Sequence, residues 1–229
     1  MTASRSNATK AVKIWDIPTR LFHWALVASL AFMWWSAEEG GLWMDWHVKV
    51  GVFVLALLLF RLIWGFVGSE TARFSHFLRA PQAAWQHLRA LGSQQSAYHA
   101  GHNPLGAWMV VALLCLVGAQ ATTGLFATDD ILVEGPLYDY VSSAFADRMT
   151  GLHHQLFNGL LAFIAVHVLA VFYYLVRKHT NLIKPMVSGR ADWPEQQAEK
   201  QPNLHFVSAW WALAIFLGCY GGLMGLLNP

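Results

Sequence analysis

The sequence predicts an all-α integral membrane protein, a helical bundle with a four-helix core and a fifth, C-terminal transmembrane helix. Of its 229 residues, 56% are hydrophobic and only 12% are charged, whereas soluble domains carry roughly 25% charged residues. The 12 tryptophans are typical of the aromatic belts that form where helices meet the membrane surface. Membrane lipid is therefore an expected partner, and a formal net charge of +2 gives no indication of nucleic acid binding.

Five apolar runs are long enough to cross a bilayer core of about 30 Å. The first is the weakest by length, but Asp16 as a helix cap and Pro18 in the first turn mark its start. The five spans are predicted at residues 18–37, 47–67, 104–126, 151–176 and 206–226. The predicted domains are a four-helix domain (1–180), a polar cytoplasmic linker (181–205) and the segment of the fifth helix (206–229).

Basic residues indicate the orientation. Of the 15 lysines and arginines, all except Lys49 and Arg148 fall in or beside the connections on one side of the predicted bundle. The positive-inside rule then places the N-terminus in the cytoplasm and, after five crossings, the C-terminus outside. The outer connection 127–150 carries five acidic residues, which could attract a basic partner, although the same rule leaves acidic residues outside by default.

The fifth helix contains two overlapping pairs of glycines at the small-xxx-small spacing. They are Gly218 with Gly222, and Gly221 with Gly225. This spacing predicts close packing on another helix. That helix could belong to the same chain, to a second copy in a homo-oligomer or to a partner subunit.

Histidines inside the apolar runs are the candidate functional residues. His167 lies in the fourth span, where ionisable side chains indicate a functional site. His153, fourteen residues earlier, shares its helical face at a rise of about 21 Å, whereas His154 should point elsewhere. By depth, His23 on the first helix pairs with His167, and His47 on the second pairs with His153.

The presence of two imidazoles at each of two depths in the bundle indicates which cofactor they bind. Histidines at two depths about 21 Å apart cannot bind the same metal ion. A zinc or copper ion without a cofactor would need more than two protein ligands. A haem takes two axial ligands, and the sequence contains no CxxCH motif for covalent attachment. The sequence therefore predicts two non-covalent b haems, with His23, His47, His153 and His167 as iron ligands. Unrelated buried histidines are the alternative.

Four further residues lie where they could support these haems. Gly51, one turn from His47, leaves room for a flat macrocycle. Arg61 is predicted to pair with a haem propionate, with snorkelling to the lipid headgroups as the alternative, and Arg20 is a second propionate candidate. His102 is interpreted first as a helix cap, with a propionate or a quinone pocket as alternatives.

The sequence resembles the bacterial cytochrome b561 family, close to the di-haem cytochrome b subunit of nickel-iron hydrogenases. The matching stretches are KIWDIPTRLFHW (13–24), HVKVGVFVLALLLFRLIWGFVGS (47–69), GHNPLGAW (101–108) and HHQLFNGLLAFIAVH (153–167). The resemblance implies a respiratory protein of the bacterial inner membrane that holds two b haems on the four histidines. It also implies electron transfer between membrane quinone and a periplasmic redox protein, such as a hydrogenase or a c-type cytochrome.

Two alternative functions differ from this interpretation, and whether the chain is an enzyme by itself stays open. A stand-alone superoxide:quinone oxidoreductase would need a basic path for its anionic substrate, but the outer side carries only Lys49 and Arg148 against many acids. A membrane anchor or transport subunit without a redox role would suit the glycine-rich fifth helix, but it would leave the histidine pattern unexplained.

Overall fold

The computed structural model describes residues 9–92, 99–129, 131, 133–200 and 203–227. Within these ranges long helices form a bundle, which confirms the predicted all-α membrane fold. The helices are α1 (Ile17–Glu39), α2 (Trp43–Val67), α3 (Phe74–Phe77), α4 (Pro81–Arg89), α5 (Pro104–Gly124), α6 (Ser143–Arg177), α7 (Ile183–Ser188), α8 (Glu195–Ala198) and α9 (Ala209–Leu227). The two strands are β1 (Thr9–Lys13) and β2 (Arg190–Pro194).

Side-chain caps begin three of the long helices. Asp16 accepts a hydrogen bond from the Thr19 N–H at 2.8 Å, which confirms the cap predicted for α1. Asn103 caps α5 through the Gly106 N–H at 2.7 Å, and Ser142 precedes α6 as its cap. These caps satisfy amide groups that the first turn of a helix leaves without partners.

Four of the described helices, α2, α5, α6 and α9, are long and apolar enough to cross a membrane. Helix α1 has 23 residues, which is sufficient length, but it does not belong to this apolar set. Arg20 and His23 near its start and Glu38 and Glu39 at its end reduce its hydropathy. The fifth crossing, through α1, therefore stays a prediction.

Helix α2 lies at the centre of the bundle, where it packs against α1, α5 and α9, and α6 packs along α5. The buried side chains of α2 join two apolar clusters. One contains Phe22, Leu57, Phe60, Trp64, Ala72 and Ala212, and the other contains Val54, Leu58, Val117 and Leu160. Because α2 contributes to both clusters, it positions the neighbouring helices relative to one another.

The end of the bundle at which α1 begins, here called the capped end, carries the sheet and the short helices. Strands β1 and β2 pair antiparallel, with Lys10 opposite Trp193. Behind them, Ile14, Trp15 and Trp193 form a small buried cluster. The segment 181–205, predicted as a linker, therefore contains α7, β2 and α8. The prediction overlooked this structure because the partner of β2 lies far away in sequence, before α1.

The opposite end, here called the far end, contains the α1–α2 turn and the connection between α5 and α6. Helix α6 begins at Ser143, eight residues before the predicted residue 151, because Ser142 provides an earlier cap. Its 35 residues rise about 50 Å, so α6 extends beyond a bilayer core. Of the acidic residues predicted in this connection, Glu134, Asp139 and Asp147 are exposed, and Asp130 lies outside the described residues.

The last helix, α9, packs against α2 through aromatic side chains. Phe216 contacts the rings of Phe53 and Phe60, with centroids 5.8 and 6.3 Å apart. The predicted close packing of the glycines does not occur within the described part of this chain. A Cβ placed on Gly218, Gly221, Gly222 or Gly225 would have no neighbouring atom within 4 Å. The glycine face of α9 therefore points away from α2.

Candidate functional site: two histidine pairs

The histidines near the far end face one another across the bundle. His47 lies in the second turn of α2 and His153 lies in α6, and their ring centroids are 6.3 Å apart. His153 hydrogen-bonds to α5, whereas the neighbouring His154 is exposed. The helical arrangement therefore gives the two adjacent histidines different surroundings, as the periodicity of α6 predicts.

The His47 ring is held in a defined orientation by α1. Its Nδ1 atom lies 3.1 Å from the Met33 carbonyl oxygen and 3.1 Å from the Ser36 hydroxyl. A carbonyl oxygen only accepts hydrogen bonds, so Nδ1 carries the proton and donates it. The other ring nitrogen, Nε2, then keeps the lone pair that a metal ligand needs.

Helix α5 holds the His153 ring in the same way. Its Nδ1 atom lies 2.9 Å from the Gln120 carbonyl oxygen and 3.2 Å from the Thr123 hydroxyl. Gly124 comes close to the same ring, because a Cβ there would lie 2.9 Å from the His153 Cε1 atom. Both far-end histidines therefore present Nε2 as the free nitrogen, and Gly124 allows the ring to lie against α5.

The separation of the far-end rings suits an iron ion between them. Two metal–nitrogen bonds of about 2 Å each, together with the distance from each nitrogen to its ring centre, add up to about 6 Å, close to the observed 6.3 Å. Among the described residues, no group of three or more His, Cys, Asp or Glu side chains could hold a bare metal ion. His47 and His153 could supply two imidazole ligands to one metal ion.

Gly51 follows His47 by one turn of α2. A Cβ at Gly51 would meet only the Met33 Cε atom, at 3.6 Å. Little protein therefore lies against this position. The role of Gly51 beside a macrocycle stays a prediction.

The second pair lies nearer the capped end. His23 on α1 and His167 on α6 are close enough to interact electrostatically. The His23 Nδ1 atom is buried and has no hydrogen-bond partner among the described residues. Along α6, His167 lies fourteen residues from His153, a rise of about 21 Å, so the two pairs occupy separate levels of the bundle.

Arg61 is buried near the capped end of α2. Its side chain is 3% exposed, so it does not snorkel towards the headgroups. The guanidinium carbon lies 5.0 Å from the centre of the Phe74 ring and 6.0 Å from that of Phe77. Its Nη1 atom is without a hydrogen-bond partner among the described residues, so Arg61 retains a free donor.

Arg20, the second predicted propionate residue, contacts backbone instead. Its Nη1 atom donates to the Val187 carbonyl, and its Nε atom donates to the Asp16 carbonyl at 3.4 Å. Arg20 thereby connects the start of α1 to the end of α7. Two of its nitrogens are already used in this contact, so Arg61 is the stronger propionate candidate.

His102 does not cap α5, because Asn103 supplies the capping oxygen. Its ring instead packs between Trp15 and Phe77, with centroids 4.7 Å from each. Burial and, to a smaller extent, the nearby positive charge of Arg61 lower the pKa of His102 to about 3. The imidazole is therefore neutral near pH 7, and its buried Nδ1 atom has no partner among the described residues.

These observations define the class of protein, a membrane helical bundle with histidine pairs between its helices. The family model for prokaryotic cytochrome b561 matches residues 14–189. The chain belongs to this family, and the predicted resemblance is confirmed. It is a transmembrane b-type cytochrome that functions in electron transfer. It is a multi-pass bacterial membrane protein, and it binds haem b. Neither the search of curated proteins nor that of solved structures finds a match.

Proposed function

We propose that the chain carries two b haems and passes electrons between membrane quinone and a redox protein at the periplasmic face. His47 and His153 would be the axial ligands of one haem, and His23 and His167 those of the other. The observation that carries this assignment is the 6.3 Å separation of the His47 and His153 rings. When bound, each haem supplies reversible one-electron chemistry.

The residues of the chain would orient and tune each haem. The Met33 and Gln120 carbonyls keep the protons of His47 and His153 on Nδ1, which would leave both Nε2 atoms available to hold the haem iron. A hydrogen bond at Nδ1 also makes the imidazole a stronger donor to the metal. Gly51 would allow the macrocycle to approach α2.

The capped end would face the cytoplasm of the bacterial inner membrane. Most of the basic residues belong to the segments that meet there, whereas Lys49 and Arg148 lie towards the far end. With α1 as a fifth crossing, the N-terminus would be cytoplasmic and the C-terminus periplasmic. The quinone would then exchange electrons near His23 and His167, and the protein partner would dock at the far end.

Exposed acidic residues at the far end favour a partner with a basic docking surface. Glu134, Asp139 and Asp147 are all exposed there. Opposite charge accelerates the encounter of two redox proteins and makes it depend on salt. A hydrogenase and a c-type cytochrome both remain candidates for this partner.

The same acidic surface disfavours a stand-alone superoxide:quinone oxidoreductase. Superoxide is an anion, and the acidic residues would repel it. Stopped-flow measurement of superoxide decay with the purified protein tests this alternative. Decay that is much faster than the uncatalysed reaction, with reduction of quinone, would favour it over the proposal.

A membrane anchor or transport subunit without a redox role makes a different prediction. Haem carried as cargo should leave readily during purification, whereas haem held between two histidines should remain bound. Reversible reduction and reoxidation of tightly bound haem would therefore contradict this alternative.

The test of the proposed ligands is haem per chain, measured as the pyridine haemochrome on detergent-purified protein. We expect two b haems in the wild type and a fall towards one in His153→Ala and in His167→Ala. His154→Ala is the matched control, because His154 is exposed and adjacent to His153, and it should retain two haems. Well-folded wild-type protein without haem would contradict the proposal.

A further inference from the structure

Arg61 is a buried cation with an unused donor. Asp16 is the acid whose charge Arg61 experiences, but both of its carboxylate oxygens are already engaged. They accept hydrogen bonds from the Thr19 N–H at 2.8 Å and from the Trp64 Nε1–H at 3.1 Å. A buried donor without a hydrogen bond costs free energy, and the described residues supply no acceptor for the Nη1 atom of Arg61.

His102 offers a second unused polar atom in the same region. The partly buried ring packs between Trp15 and Phe77, and its buried Nδ1 atom has no partner among the described residues. A buried nitrogen without a hydrogen bond also costs free energy. The capping role is taken by Asn103, so the helix start does not explain why a histidine occupies this position.

Arg61 and His102 lie against the same phenylalanine ring, near the second histidine pair, His23 and His167. Phe77 is in contact with both, 6.0 Å from the Arg61 guanidinium carbon and 4.7 Å from the His102 ring centroid. His102 is also within electrostatic range of Arg61, His23 and His167. Arg61 and His102 therefore lie in one region of the bundle, near the proposed ligands of the haem at the capped end.

A guanidinium and an imidazole N–H together suit a carboxylate, whose two oxygens accept hydrogen bonds and whose charge balances the arginine. We propose that Arg61 and His102 form a joint site for a carboxylate, namely a propionate of the haem held by His23 and His167. This inference rests on the proposed function, because that haem supplies the carboxylate. It assigns to His102 a binding role in place of its predicted role as a cap.

Infrared spectroscopy can identify the carboxylate directly. Cells are fed δ-aminolevulinate labelled with carbon-13 at its carboxyl carbon, which places the label in the haem propionates. Redox-induced infrared difference spectra of the purified protein are then compared with spectra of the unlabelled protein. A band that moves on labelling belongs to a propionate, whereas a band that does not move belongs to a protein, lipid or small-molecule carboxylate.

We expect Arg61→Gln and His102→Leu to shift the label-sensitive band and to release haem about tenfold faster, as the loss of a hydrogen bond to a charged group implies. His102→Asn keeps an N–H donor close to the position of Nδ1, so it should restore the wild-type band. His76→Asn is the matched control, since His76 is a partly exposed histidine at the same end that pairs with Glu70. It should leave the band unchanged.

The outcomes separate the inference from the proposed function. If both haems are present and the label-sensitive band is the same in wild type, Arg61→Gln and His102→Leu, the joint site is wrong while the haem assignment stands. A band that responds to the variants but not to the label would mean that another carboxylate occupies the site, which also overturns the inference. Folded wild type without haem would overturn both.

Discussion

At the scale of single residues, Gly124 determines whether His153 can reach its position. A Cβ at Gly124 would lie 2.9 Å from His153 Cε1 and 3.3 Å from Nδ1, and the imidazole cannot move away without losing its bond to the Gln120 carbonyl. We expect Gly124→Ala to lower haem per chain from two towards one, measured as the pyridine haemochrome. Gly118→Ala is the control, because apart from its own helix no described residue lies within 4 Å of its Cβ position. Two haems with unchanged spectra in Gly124→Ala would refute this dependence.

Asp16 stabilises the capped end through two hydrogen bonds. It caps α1 and accepts from the buried Trp64 indole. We expect Asp16→Ala to lower the free energy of unfolding by about 2–4 kcal/mol, the sum of a lost helix cap and an unsatisfied buried N–H. Thermal unfolding of the purified protein, followed by circular dichroism, measures this loss.

Asp16→Asn separates these two contributions. The carbonyl oxygen of Asn can still cap α1, but the NH2 group that replaces the second carboxylate oxygen cannot accept from the Trp64 N–H. The melting temperature of Asp16→Asn should therefore fall between those of wild type and Asp16→Ala. Equal melting temperatures for all three proteins would show that the buried contacts of Asp16 do not stabilise the fold.

At the scale of secondary-structure elements, α9 is separate from the proposed ligands. The four histidines lie in α1, α2 and α6, whereas α9 contributes Ala212 and Phe216 to the cluster on α2. We expect a chain that ends after Asn203 to retain two haems and to melt at a lower temperature. Loss of haem from this truncated chain would show that α9 is needed to form the haem sites.

The glycine face of α9 can be tested without removing the helix. Gly222→Leu should leave haem content and melting temperature unchanged, since apart from its own helix no described residue has an atom within 4 Å of the Gly222 Cβ position. If this face meets a second copy, the molecular mass in detergent should also fall from dimer to monomer. A changed haem spectrum would contradict the arrangement in which α9 packs against α2 through Phe216.

At the scale of the whole molecule, the number of crossings determines the side on which each end lies. Alkaline phosphatase is active only outside the cytoplasm, so fusions of it report orientation. We expect an inactive fusion after Gly92, which the positive-inside rule places in the cytoplasm, and an active one after Leu227, because the three helices α5, α6 and α9 separate these two points. Inactivity of the C-terminal fusion, together with activity of the fusion after Gly92, would contradict the proposed orientation.

The sequence by itself determined the class of fold and predicted four histidines as candidate haem ligands. Hydropathy and helical periodicity are local properties, so they predicted the bundle and gave His153 and His154 different surroundings. Asp16 and Pro18 likewise mark the start of α1 within one turn of its observed position. These features depend only on residues that are close together along the chain, so the sequence was sufficient to predict them.

Only the tertiary structure decided which distant segments meet. In the folded protein β1 pairs with β2, and Arg20 donates a hydrogen bond to the Val187 carbonyl. Thr123 and Gly124 lie against the His153 ring. The tertiary structure also turned the glycines of α9 away from α2 and placed Arg61 and His102 on the same phenylalanine. Contacts of this kind depend on how helices pack after they form. No spacing within a single helix specifies its partner, so the sequence predicted the four histidines but not the surroundings that hold them.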